Sequence, residues 1–169
     1  MPTSHPTTIL IFGASGDLTR RKLIPALYNL YRKDRLPTGT RVIGFSRSEY
    51  SDQKFRTHLE SGLKEFSPET YKQDLWDTFA EKVTYEMGDL TEPEDYQRLI
   101  AVLDELEEEP TNHLYYLAIA PSLYKRAIAN LGKAGLNKEK QREEGPWRHV
   151  VVEKPFGHDL QSSQDLNDT

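Results

Sequence analysis

Between a short apolar run and an amphipathic stretch the chain reads Gly13-Ala14-Ser15-Gly16-Asp17-Leu18-Thr19. Glycines at the end of a strand and the mouth of a helix let the backbone turn tightly. They also let a phosphate approach the free N–H groups and the positive end of the helix dipole. The spacing is G-x-x-G-x-x-T; Ser15 and Leu18 stand where a G-x-G-x-x-G fingerprint has its second and third glycines. A plain structural turn is the competing reading, and the strand-turn-helix context weighs against it. No Gly-Lys-Ser or Gly-Lys-Thr follows at the interval of a Walker loop.

Two further positions carry charge to the same edge. Ser46-Arg47-Ser48 closes the second apolar run with a guanidinium and two hydroxyls, where an NAD site usually has an Asp or Glu for the ribose. Arg47 can pair with a 2′-phosphate and stack on adenine, which favours NADP. A solvent-facing arginine is the alternative, and Glu49 is a second candidate for the ribose. Lys154 follows the fifth apolar run and precedes Pro155 and Gly157, so a rigid turn holds its charge at the sheet edge. Tyr50 and Lys54 match the Tyr-x-x-x-Lys spacing of short-chain dehydrogenases, but they follow the second strand, where that family has the pair beyond the fourth.

These residues need a frame that puts strand ends side by side. The apolar period predicts strands at Thr8–Phe12, Arg41–Ser46, Val83–Met87, Leu114–Ile119 and His149–Glu153. It predicts a helix to about Asp34 with Leu23, Ala26, Leu27, Leu30 and Tyr31 inward, and one capped by Ser51 with Phe55, Leu59, Leu63 and Phe66 inward. Further helices are expected from Ser67-Pro68, behind a Thr91-Glu92-Pro93-Glu94 capping box, from Ser122 to Lys133, and after Asp159 or Ser162. Glu107-Glu108-Glu109 reads as a solvated helix end. Strands alternating with helices imply an α/β fold with a doubly wound parallel sheet, a Rossmann-type dinucleotide-binding domain.

Composition narrows the chemistry. The 169 residues carry 22 Lys and Arg against 27 Asp and Glu, a net charge of −5, which gives no electrostatic reason to expect nucleic acid. Without cysteine there is no disulfide, thiolate metal site or cysteine nucleophile, and no metal is expected. Ile9-Leu10-Ile11-Phe12 is far short of the roughly 20 residues that span a bilayer, and Met1 to Thr8 has no Lys or Arg. The expectation is a cytoplasmic domain that does not enter a membrane.

Four blocks in order, Gly13 to Pro25, Gly44 to Ser48, Tyr116 to Pro121 and Glu153-Lys154-Pro155-Phe156-Gly157, resemble the glucose-6-phosphate 1-dehydrogenase family. The resemblance implies oxidation of glucose 6-phosphate to 6-phosphogluconolactone with NADP as hydride acceptor. By position, Gly13, Ala14, Ser15, Gly16, Asp17, Leu18, Thr19 and Arg20 would hold the pyrophosphate and Arg47 the 2′-phosphate. Asp89 and Leu90 would border the adenine, and Tyr116 to Pro121 would flank the nicotinamide end. Lys154 would lie between substrate and nicotinamide, and Lys22 matches a lysine implicated at the active site. It further implies a cis Lys154-Pro155 peptide.

The family's His-Asp dyad and its larger α+β domain lie further along the chain than this sequence, so residues 1–169 are expected to be the NADP-binding domain without the catalytic pair. His149 and His158 do not match that dyad and are taken as structural. Homodimers or homotetramers are expected of the full-length protein. A non-catalytic NADP-binding module and another NADP-dependent reductase are the alternatives.

Overall fold

The structure, a computed structural model, describes residues 5–139 and 145–154. Its strands are β1 (Thr7–Phe12), β2 (Arg41–Ser46), β3 (Val83–Met87), β4 (Asn112–Leu117) and β5 (Arg148–Val152). Its helices are α1 (Ile24–Arg32), α2 (Asp52–Phe66), α3 (Gln73–Ala80), α4 (Pro93–Leu106) and α5 (Tyr124–Lys133). A π turn at Thr19–Leu23 leads into α1, and a 3₁₀ turn at Pro121–Leu123 into α5.

The strands pair in parallel in the order β3-β2-β1-β4-β5. The order reverses beside β1, so the chain leaves β1 and β4 toward opposite halves of the sheet. A crevice at their carboxyl ends is the consequence. Residues alternate between faces: Ile9, Ile11 and Val42 pack under α1, α2 and α3, while Leu10, Phe12, Ile43 and Phe45 pack under α4 and α5. Phe12 meets Phe45 edge-on at 5.2 Å between ring centroids, and Tyr96 of α4 closes over both. Burying a side chain of this size contributes about 1.5–3 kcal/mol.

Several expectations are corrected. β4 spans Asn112–Leu117 rather than Leu114–Ile119, because polar Asn112 and His113 are buried and bonded within the sheet. Asn112 Nδ2 donates to the His5 carbonyl at 3.2 Å, and its Oδ1 accepts from the Trp147 N–H at 3.1 Å. β5 starts one residue early, at Arg148, and as an edge strand it leaves Val150 exposed. No helix starts at Pro68: the Thr70 N–H and hydroxyl both bond back to the Ser67 carbonyl at 3.1 Å, and α3 begins only at Gln73.

In α1 the buried face is Ile24 and Tyr28, with Ala26 and Leu30 exposed. Tyr28 can be buried because its hydroxyl accepts from the Lys72 N–H at 3.0 Å. Thr91 does not cap α4; its hydroxyl donates to Asp89 Oδ1 at 2.8 Å, and Glu92 takes the cap position. Ser51 does cap α2, accepting from the Lys54 N–H at 3.2 Å. Glu107 is not solvated: it turns inward to His113 and Thr8, leaving Glu108 and Glu109 exposed. The Lys154-Pro155 peptide, His158 and the helix expected after Asp159 lie outside the described residues.

Candidate functional site

β1 ends in a turn that only glycine can make. Gly13 has φ +78°, and a Cβ there would lie 2.2 Å from the Ala118 carbonyl oxygen. The turn can therefore press against the strand end of β4, whose Ala118 N–H donates to the Phe12 carbonyl at 3.0 Å. The Gly13 N–H donates to the Phe45 carbonyl at 2.9 Å, and the Gly16 N–H to the Gly13 carbonyl at 2.9 Å. Ala14 is buried beneath, while Gly16 and Asp17 are exposed at the start of the helical segment. The first N–H groups of a helix have no partner within it, so this end offers donors and a positive dipole.

Across the turn lies a cleft of about 640 Å³ between the carboxyl ends of β1, β2, β3 and β4. That is within the roughly 300–1,000 Å³ of small-molecule sites. Gly13, Ser15, Gly16, Arg47, Asp89 and Leu90 all line it, so the structure brings together residues from three separate stretches of sequence. Ala118, Ile119 and Ala120, after β4, form the far wall.

A hydroxyl cluster that the sequence reading missed fixes the Arg47 wall. Ser15 Oγ accepts from Ser46 Oγ at 3.0 Å and Ser48 Oγ at 2.9 Å, which leaves its own proton for an acceptor in the cleft. The Tyr85 hydroxyl donates to the Ser48 carbonyl at 2.6 Å and lies 2.8 Å from Ser46 Oγ. Alternating Tyr85 on β3 signalled a buried ring, but not that its tip would hold the loop carrying Arg47.

Asp89 forms the next corner. Its Oδ1 accepts from the Thr91 N–H and hydroxyl, each at 2.8 Å, and its own N–H donates to Asp95 Oδ2 at 2.7 Å. The Thr91 backbone and then the Thr91 hydroxyl hold the Asp89 carboxyl below its ordinary value, with the Arg47 and Arg126 guanidiniums adding to both.

Other predicted residues lie outside the cleft lining. Arg20 turns away: its Nη2 is 2.7 Å from Glu65 Oε2 and 3.3 Å from Ser61 Oγ. Gly62 makes the room, since a Cβ there would meet Arg20 Cγ at 2.3 Å. The guanidinium therefore braces α2 against the turn, at the mouth of the helical segment where it is expected to meet pyrophosphate. Thr19 is fully buried, Leu18 half-buried, and Lys22 exposed.

Tyr116 and Lys154 stand at the ends of β4 and β5. The Tyr116 hydroxyl donates to Glu153 Oε1, and burial, then that bond and charge, push the phenol up to about 12. Tyr124 holds the Glu153 backbone, donating to its carbonyl at 3.2 Å and accepting from its N–H at 3.3 Å. Two tyrosines thus fix the residue before exposed Lys154. Tyr50 stacks on His58 at 5.5 Å and is not paired with Lys54, so the short-chain constellation does not form. Among the described residues there is no group of acidic or histidine side chains able to hold a metal, and no helix long and apolar enough to cross a membrane.

The family model described as glucose-6-phosphate dehydrogenase, NAD binding domain, matches residues 10–169. The glucose-6-phosphate 1-dehydrogenase of Aggregatibacter actinomycetemcomitans is 42% identical over 162 residues, covering 94% of this chain and 32% of that protein. That of Chlamydia pneumoniae is 36% identical over 167 residues, covering 97% and 33%. A solved glucose-6-phosphate dehydrogenase in complex with its substrate glucose-6-phosphate superposes with a TM-score of 0.81 at 35% identity, covering 99% of this chain and 34% of that one. The chain spans about a third of the length of the relatives it matches.

Proposed function

The chain belongs to the glucose-6-phosphate dehydrogenase family, of which it carries the nicotinamide-dinucleotide-binding domain, and on that premise we propose that it is the NADP-binding part of an enzyme oxidising glucose 6-phosphate to 6-phosphogluconolactone. The observation that carries this reading is the convergence of the Gly13–Gly16 turn and Arg47 on one cleft. NADP supplies the hydride acceptor when bound. Gly16 and the helical N–H groups after it suit the pyrophosphate, and the Ser15 proton suits a phosphate oxygen. Arg47 suits the 2′-phosphate; an acidic residue at that place would repel it. Asp89 and Leu90 border the adenine in this reading, and Tyr116 and Lys154 the nicotinamide and sugar phosphate, with Lys22 a further candidate for the substrate. A cytoplasmic location and a homo-oligomeric full-length protein belong to the same proposal.

Calorimetry on the purified chain tests the cofactor. NADP should bind more tightly than NAD, and Arg47→Ala should remove most of that difference. A charge-assisted pair is worth about 1.5–3 kcal/mol, or about ten- to hundredfold in affinity. An unchanged NADP preference in the variant would take Arg47 out of the site.

Turnover is a separate matter. Hydride leaves the sugar C1 only as a base takes the hydroxyl proton, and among the described residues no histidine lines the cleft. A positioned base contributes about 10²- to 10⁴-fold. The purified chain should therefore bind NADP yet form no NADPH from glucose 6-phosphate. Steady NADPH absorbance that Lys154→Ala abolishes would show that a base operates within these residues.

A further inference from the structure

Arg47 lines the cleft, yet its exposed side chain has no hydrogen bond or ion pair among the described residues. The place of its charge is therefore set by the backbone of Ser46-Arg47-Ser48. The Ser46 carbonyl accepts from the Gly88 N–H at 2.9 Å, and the Ser48 carbonyl from the Tyr50 N–H at 3.1 Å. One group joins the two. The Tyr85 hydroxyl shares its proton between the carbonyls on either side of Arg47, 2.6 Å from Ser48 and 2.9 Å from Ser46, and lies 2.8 Å from Ser46 Oγ.

Tyr85 is itself fixed from below. Its ring is buried on β3, 4.7 Å from Phe55 and edge-on to Tyr50 at 5.5 Å between centroids. Its N–H donates to Asp52 Oδ1 at 2.7 Å, so the first turn of α2 holds the strand that carries it. The serines pass this anchoring on, since Ser46 Oγ and Ser48 Oγ both donate to Ser15 Oγ in the glycine turn. Tyr85 does not line the cleft. Any effect it has on a ligand must come through the groups that it holds.

Resting on the NADP reading above, we infer that Tyr85 is a positioning residue for coenzyme choice: its hydroxyl keeps the loop after β2 in the geometry that lets Arg47 read a 2′-phosphate. Pairing between a guanidinium and a phosphate is directional, with N–H groups matched to particular oxygens, so a shifted loop forfeits it. The pyrophosphate depends instead on the N–H groups of the glycine turn, which has its own backbone bonds to Phe45 and within itself. NAD, which lacks the 2′-phosphate, should therefore be insensitive to the Tyr85 hydroxyl.

The test is calorimetry of the 169-residue chain with NADP and NAD, using Tyr85→Phe, Arg47→Ala and the double variant. Tyr85→Phe keeps the ring against Phe55 and removes only the hydroxyl. It should weaken NADP about two- to tenfold, the net worth of a neutral hydrogen bond, and leave NAD unchanged. In the Arg47→Ala background it should cost NADP nothing further, because the group through which it acts is gone. A merely structural role would weaken both dinucleotides, with or without Arg47. Unchanged NADP affinity, an equal loss for NADP and NAD, or the same loss repeated without Arg47 would each overturn the inference. Where Tyr85→Phe does not fold, Asp52→Ala frees the Tyr85 N–H while keeping the hydroxyl; a lowered NADP preference then supports the inference and an intact one overturns it. If the unmutated chain does not prefer NADP, the NADP reading falls and the inference with it; if it does and Tyr85→Phe keeps that preference, only the role of Tyr85 falls.

Discussion

At the carboxyl ends of the strands, polar groups face an open cleft: Arg47, Asp89 and the Ser15 hydroxyl reach it from different elements. Among the described residues, the buried side-chain atoms without a protein partner, Thr19 Oγ1, Arg20 Nε and His58 Nε2, also belong to the glycine turn and the helix braced on it. At the amino ends the polar groups close on one another. Glu107 accepts from Thr8 Oγ1 at 2.7 Å and lies 2.9 Å from His113 Nε2. His113 Nδ1 is 2.9 Å from the Tyr115 hydroxyl, which donates to the Leu136 carbonyl at 2.7 Å. The same parallel sheet thus has one end whose hydrogen-bonding capacity is left for a ligand and one end where it joins β1, β4, α4 and the loop after α5.

The separation predicts which measurement each substitution moves. The largest effect belongs to Gly13→Ala, which should lower both affinity and stability. The Cβ would meet the Ala118 carbonyl, and φ +78° is strained for any side chain. The cost should reach at least about 2 kcal/mol in denaturant titration, with NADP binding lost, because the turn must leave its place. Wild-type affinity in this variant would mean the turn is not the phosphate site.

Next is Glu107→Ala, which removes the acceptor of Thr8 and His113 at the closed end. Leaving buried donors unpaired costs about 1–3 kcal/mol, so the melting temperature should fall while NADP affinity stays put. Arg47→Ala should do the reverse. If Glu107→Ala weakened NADP binding while the protein remained folded, the two ends would be coupled and the contrast between them would fail.

The smallest effect is a pH slope. Burial, then the Arg20 charge, hold His58 below its ordinary 6.5, against an opposing bond with the Ser15 backbone. Below that value the unfolded chain binds the proton and the folded one resists it, so stability falls as pH drops through 6.5 toward the folded value. The urea midpoint should decline from neutral to mildly acidic pH, and less so in His58→Gln. An equal decline in both would assign the acid sensitivity to other groups.

Legibility followed the range of the interactions. Ser51 at the head of α2 and Gly13 at the end of β1 could be placed from local rules, since capping and the turn depend on neighbours in sequence. The start of β4 could not, because Asn112 and His113 look polar until Trp147 and Glu107 satisfy them. Thr91-Glu92-Pro93-Glu94 had the spacing of a capping box, but Asp89 competes for the Thr91 hydroxyl. In α1, periodicity alone left the inward face short of Ile24 and Tyr28, because the π turn before the helix and the Lys72 backbone that receives Tyr28 were both out of view.

The sequence by itself determined the alternation of strands and helices, the glycine turn after the first strand, and the charge that ends the second. It did so because periodicity, backbone freedom and residue chemistry are properties of short stretches. Only the tertiary structure decided that Arg20 pairs with Glu65, that Tyr85 holds the loop of Arg47, and that Glu107 turns inward to Thr8 and His113. Each of those depends on a partner distant in sequence whose position is set by the strand order, and strand order is fixed by how the helices pack on the two faces of the sheet.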